Sequence, residues 1–199
     1  STIAKVDLLF DLVNEFPELQ GVLGGYFAES QGFEKEVCLA VSEHYLPSGL
    51  NSRTPKNNYS IALSLSDKLD ALVGFFGLDL VPTSSKDPYA LRRMAIGLIK
   101  LIIENKKSFK LKEMIDYSCQ LYNNQSINFD RKSVHTNLSI FIIDRLKNYM
   151  KEKGIRLDII ESSLIDFDLN NIFVIFTKAD RLNTVSYTHI RAHETDYYL

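Results

Sequence analysis

Residues 63–103, LSLSDKLDALVGFFGLDLVPTSSKDPYALRRMAIGLIKLII, constrain the fold most, because their two apolar stripes can be buried only between other helices. Ile61, Leu65, Leu69, Leu72, Val73 and Phe76 recur at intervals of three and four, which places them on one helical face. Asp67 and Asp70 fall on the polar edge of that helix. Gly74 and Gly77 loosen its end, and the run Pro82, Thr83, Ser84, Ser85 and Lys86 cannot continue it. Asp87 then restarts a helix, since a carboxylate accepts the free amides of a first turn and Pro88 has no N–H to satisfy. The second helix, predicted over 88–104, is apolar nearly all round, with Arg93, Lys100 and Glu104 as its one wet edge. Arg92 falls in line with Ile99 and Ile103. An arginine on an apolar line needs a carboxylate, so a structural ion pair of Arg92 with Asp67, Asp70 or Asp87 is expected.

Around this pair the spacing predicts further helices and no strand. Residues 3–16 read as one helix with Val6, Leu9, Phe10, Val13 and Phe16 inward, ended by Pro17. Gly21, Gly24 and Gly25 follow; without a preceding strand they allow a close helix crossing and not a phosphate loop. A third helix is expected over 34–45, then a loop over 46–58 rich in residues that break periodic structure. Beyond the central pair, residues 112–122 form an amphipathic helix, and the polar 123–128 is the candidate linker. Asp130 or Ser133 caps a long helix carrying Val134, Leu138, Phe141, Ile142, Arg145 and Tyr149, which ends before Gly154. Two shorter helices are expected near 157–164 and 169–181, so the fold class is mainly α.

With 45% hydrophobic residues in 199, the chain has material for one ample core or two small ones. Cys38 and Cys119 lie in separate apolar patterns without metal-ligand spacing, which suits two inert thiols in a reducing compartment. No apolar run is long enough for a bilayer and no signal peptide opens the chain, so a soluble, cytoplasmic protein is expected. A start at Ser1 inside a helical pattern leads us to expect a piece of a longer chain. The net charge of −2 hides an asymmetry: residues 92–156 hold 14 Lys and Arg against 6 Asp and Glu. A basic half beside an acidic half suits a nucleic-acid contact joined to a protein-facing module, and equally a solvated run of surface lysines.

The stretch SDKLDALVGFFGLDLVPTSSKDPYALRRMAIGLIKLI resembles the signature of the beta subunit of the bacterial tetrameric glycyl-tRNA synthetase, in which an ADKLD-type helix precedes a PTGSKDPFALRR-type loop and helix. The likeness extends upstream through FPELQGVLGGYFAESQG and SEHYLP and downstream through IFIIDRLKNYMKEKGIRLDIIESSL. Ser66 stands where the family has Ala, Ser85 falls in a loop that usually reads Gly-Ser-Lys, and Tyr89 replaces Phe. The resemblance implies a helical HD-like domain over 1–110 followed by the start of a helical, DALR-like anticodon-binding domain over 111–183. It implies tRNA(Gly) as partner, together with an alpha subunit in an alpha2beta2 tetramer, and neither membrane nor DNA. ATP with Mg would be used by the alpha subunit, so no cofactor and no catalytic residue are expected in this chain.

The residues agree that hydrolysis is not on offer. An HD hydrolase holds its metal with an adjacent His-Asp pair, and His44 is followed by Tyr45, His135 by Thr136. Asp67 and Asp70 alone are too few oxygen ligands for a divalent metal. For RNA contact the candidates are Lys86 with Ser84 and Ser85 on the central loop, Arg93 one turn on, and Arg131, Lys147 and Lys151 in the second basic region. A helical interaction module without RNA binding, and a metal-dependent HD phosphohydrolase, stand as the alternatives. Residues 184–199 have no helical stripe and no counterpart in the family, and read as an appended, non-native tail. His189 and His193 have a metal-compatible spacing, but Ile190 stands where a zinc protease needs Glu, so no metal is expected there.

Overall fold

The computed structural model describes residues 3–83 and 85–195, with side chains through residue 186. Short 3-10 turns at Val6–Leu9 and Pro17–Leu19 flank α1 (Leu12–Glu15). Then come α2 (Val22–Ser30), α3 (Lys35–Glu43), α4 (Asn58–Gly77), α5 (Leu91–Glu104), α6 (Leu111–Asn124), α7 (Arg131–Glu152), α8 (Leu157–Ser163), a 3-10 turn at Leu169–Asn171, and α9 (Ile172–Thr195). No strand occurs among the described residues.

The helix expected over 3–16 is broken. Asp7 is fully buried, its carboxylate accepting the Gly21 amide at 2.8 Å and the Tyr45 hydroxyl at 3.4 Å. With that polar side chain turned inward, Leu9 faces out at 82% exposure, and Phe16, extended before Pro17, stops α1. α2 and α3 cross closely at Gly25, where a Cβ would stand 2.8 Å from that of Ser42.

α4 and α5 form the centre, with α6 and α7 against α4, and α7 and α9 against α5. One apolar cluster runs from Ile61 to Ala179 through all of them, so the core does not break at residues 110–111. Gly74 and Gly77 do more than loosen α4: they leave room for Tyr122 and for the ring of Phe129. The stop comes after them, where Asp79 takes a left-handed φ of 55° and the Leu80 amide returns to the Phe75 carbonyl at 2.9 Å. The caps of α4 and α7 follow the chemistry of their sequences. Asn57 accepts from the Tyr59 amide at 2.8 Å, and Asp130 from the Lys132 amide at 3.0 Å.

The loop over 46–58 is pinned by two buried lysines. Lys68 of α4, 4% exposed, donates to the carbonyls of His44, Tyr45 and Leu46 at 3.3, 3.2 and 3.2 Å and to the Ser64 hydroxyl at 2.9 Å. Lys100 of α5, also 4% exposed, donates to the carbonyls of Leu50 and Ser52 and pairs with Glu104 at 3.4 Å. Lys100 therefore does not belong to a wet edge with Arg93; loop carbonyls replace water around its ammonium. The loop also ties back through Thr54, whose hydroxyl donates to Glu104 at 2.6 Å. α9 runs on through residues 184–195, where no helical stripe was visible in the sequence. Those residues contain no Gly or Pro, and extending an existing helix costs far less than starting one.

Two outcomes are expected. A Cβ on Gly97 would stand 2.6 Å from the Pro47 carbonyl oxygen and 2.7 Å from Lys68 Cε. Gly97→Ala should therefore lower stability by roughly 1–3 kcal/mol despite its better helix propensity, as read from the denaturant midpoint. Burial lowers the Lys68 ammonium to about 8, against which the Asp67 charge works only in part. An unfolded lysine stays charged to higher pH, so the unfolded chain binds more protons between about pH 8 and pH 10 and stability rises there, by roughly 2 kcal/mol at most. Burial raises Tyr45, Tyr122 and Tyr149, so their share of stability is lost above that window and bends the curve down. Urea melts across this range should show the rise in the natural chain and not in Lys68→Met.

Candidate nucleic-acid interface

The loop between α4 and α5 is short of water-borne freedom at its base. The Thr83 amide donates to the Lys86 carbonyl at 3.0 Å, and the Lys86 amide returns to the Thr83 hydroxyl at 3.2 Å, closing a tight turn. Asp87 caps α5, accepting the Leu91 and Arg92 amides at 2.8 and 3.0 Å. The helix starts at Leu91 and not at Pro88, because Ala90 adopts a left-handed φ of 57° with its amide bound to the Asp87 carbonyl at 3.1 Å. Ser85 and Lys86 are exposed beyond this base; Ser84 lies outside the described residues.

Arg92 closes the base from the helix side. Its guanidinium donates to the Thr83 carbonyl and stands 4.0 Å from the Asp87 carboxylate, with 27% of the side chain exposed. Asp67 and Asp70 are not its partners. Asp67 pairs with Lys5 at 2.6 Å, and Asp70 accepts from the Ser118 hydroxyl at 3.4 Å. Arg93 is exposed and lines a small pocket of about 180 Å³ with Gln20, Tyr45, Ser48 and Lys68. Tyr89, 43% exposed, stacks one ring face on Phe75 with centroids 4.3 Å apart and planes 26° from parallel.

The second basic region is not one patch. Arg131 begins α7 and Lys147 and Lys151 lie near its end, about 25–30 Å away at 1.5 Å per residue. At 100° per residue, Lys147 and Lys151 share a side that is roughly opposite to that of Arg131. Arg145 pairs with its neighbour Asp144 and lies over the Phe141 ring at 5.7 Å, a packing role. Among the described residues, Lys86, Arg93, Arg131, Lys147 and Lys151 stand in no ion pair.

No group of three His, Cys, Asp or Glu able to hold a metal occurs among the described residues. His44 is fully buried, its Nδ1 2.7 Å from the Val41 carbonyl oxygen, and burial holds the ring below its ordinary pKa. Cys119 is buried and its thiol pushed up by that burial, whereas Cys38 is half-buried. Glu104 is desolvated, which alone would raise it, but the Thr54 hydroxyl and the Lys100 ammonium bring it below the usual carboxylate value. Sequence reasoning missed Lys68 and Lys100 as buried cations. For Lys68 the available signal was helical phase, one turn from Ser64 and Leu72; for Lys100, in phase with Arg93 and Glu104, the sequence offered none. No described helix is long and apolar enough to cross a membrane.

Because Arg92 is partly solvated and Asp87 keeps two amides without it, Arg92→Ala should cost about 1–2 kcal/mol, less than the 3–5 kcal/mol typical of a stranded buried charge. Asp87→Ala, which frees both amides and the guanidinium, should cost more. Equilibrium denaturation of the two variants side by side checks the order.

The family profile described as glycyl-tRNA synthetase beta subunit matches residues 1–165. The chain is 37% identical over 181 residues to the glycine-tRNA ligase beta subunit of Clostridioides difficile, an alignment covering 91% of this chain and 26% of that protein. It is 39% identical over 173 residues to the corresponding subunit of Acinetobacter baumannii, covering 83% and 25%. With that of Lawsonia intracellularis it shares 39% over 161 residues, covering 81% and 23%. The chain thus spans about a quarter of the length of the curated relatives it matches. By the profile and by these relatives, the chain belongs to the glycyl-tRNA synthetase beta subunit family.

Proposed function

We propose that this chain is the part of a glycyl-tRNA synthetase beta subunit that recognises tRNA(Gly) and helps place it for aminoacylation with glycine by the alpha subunit. Its contribution is positional: holding the RNA so that its end meets a site on another polypeptide removes the entropy of bringing the two together. In this reading ATP and Mg act at the alpha subunit, the assembly is an alpha2beta2 tetramer in the cytoplasm, and the helical body is an HD-like shape without HD chemistry. α6 onward corresponds to the beginning of an anticodon-binding region. The observation that carries the reading is the joining of family membership to cations that no carboxylate neutralises, all exposed but the half-buried Lys147. Lys86 on its closed turn and Arg93 at the edge of the small pocket are the first contacts, and Arg131, Lys147 and Lys151 add charge at a distance.

The test is tRNA(Gly) affinity titrated against salt, for this chain or for a complete beta subunit carrying the same changes. Each phosphate neutralised contributes about 0.7 to 0.9 to the log–log slope. Lys86→Ala should lower that slope by about one unit and leave stability within about 0.5 kcal/mol, since an exposed loop lysine supports no core. Glu34→Lys, on the acidic half, should not weaken binding. A flat salt response would favour a helical interaction module without RNA binding.

A further inference from the structure

We infer that Tyr89 is a stacking platform for one unpaired nucleobase, so that the central loop takes single-stranded RNA and not duplex. The inference rests on the RNA-binding reading above and narrows its ligand. Tyr89 is the aromatic group that the rigid base of this loop carries outward. One face of its ring is held by Phe75 at 4.3 Å, and the residue remains 43% exposed. Leu78, Leu80 and Val81, which lead from α4 into the same loop, are also exposed, at 55%, 43% and 44%.

Its neighbours supply the other half of a nucleotide site. Lys86 stands three positions before Tyr89, exposed, on the turn closed by Thr83. Between them Asp87 is locked onto the Leu91 and Arg92 amides, and after them Ala90 holds its left-handed turn. The ring, stacked on Phe75, and the Lys86 backbone are thus fixed relative to one helix, and the ammonium reaches out from that backbone. A cation for phosphate beside an open aromatic face is the arrangement that binds splayed nucleotides, because every base offers a π-face once it is out of a helix. In an A-form duplex the bases already stack on one another and the face of Tyr89 has nothing to meet.

The experiment uses the whole chain and a single-stranded oligoribonucleotide of mixed sequence carrying 2-aminopurine, and the same strand annealed to its complement. Three variants are compared: Tyr89→Leu, which keeps apolar packing on Phe75 without a π-face, Tyr89→Phe, which keeps the ring, and Lys86→Ala. The natural chain should prefer the single strand and quench its 2-aminopurine. Tyr89→Leu should bind it about tenfold more weakly with the quench lost, and Tyr89→Phe should restore both. Lys86→Ala should weaken both probes and lower the salt slope of each by about one unit. If Tyr89→Leu binds and quenches as the natural chain does while Lys86→Ala weakens both probes, the stacking inference is overturned and RNA binding stands. If neither probe binds in a salt-dependent way, the RNA-binding reading falls and takes this inference with it.

Discussion

Two ammonium groups buried among carbonyl oxygens set the terms for the rest of the molecule. Lys68 and Lys100 lie on the apolar helices α4 and α5, where an unpaired cation would cost several kcal/mol. The carbonyls of residues 44–46 on one side and of 50 and 52 on the other meet that cost. A hydrogen bond from a charged donor contributes about 1.5–3 kcal/mol, and here several converge on each nitrogen. The dependence runs both ways: the helices need the loop to accept their lysines, and the loop has no regular structure of its own to satisfy its carbonyls. Gly97 belongs to the same constraint, since the close approach of Pro47 leaves no room there for even a methyl group.

From that centre the structure spreads in two chemically different directions. Toward α6, α7 and α9 the apolar cluster continues without interruption, and the surface outside it carries most of the unpaired positive charge. Toward the N-terminus packing gives way to polar ties, with Asp7 reaching the Gly21 amide and Tyr45 while Leu9 and Phe16 remain exposed. The cations proposed as first RNA contacts sit where the two meet. Arg93 shares its pocket with Gln20 and Tyr45 from the polar side, and the loop bearing Lys86 begins where α4 ends.

Where local chemistry decided the outcome, the sequence was readable. The stripe of α4, the enclosed character of α5, the cap at Asp130 and the mainly helical class all follow from spacing and from side chains that satisfy nearby amides. Asp87 was legible as a cap, but the helix it starts begins later, because Ala90 takes a left-handed turn with its amide on the Asp87 carbonyl. Lysines were the main failure: on a helical wheel Lys100 marks solvent, and only a carbonyl cluster arriving from residues 50 and 52 makes it an interior residue. For Arg92 the sequence left three carboxylates open; its guanidinium stands 4.0 Å from that of Asp87, while Asp67 is taken by Lys5 from a segment whose helical pattern did not hold. The cations of α7 illustrate a different limit. Their proximity in sequence suggests one basic face, and the helix itself separates them by its length and rotation.

The Asp87 carboxylate, accepting from the Leu91 and Arg92 amides, and the Arg92 guanidinium on the Thr83 carbonyl tie the base of the loop to α5 from both sides. Conformational freedom that this base would otherwise lose on meeting a ligand is lost once, when the chain folds. A ligand resting on it would meet a smaller ordering cost, and successive ligands would find the same base in place.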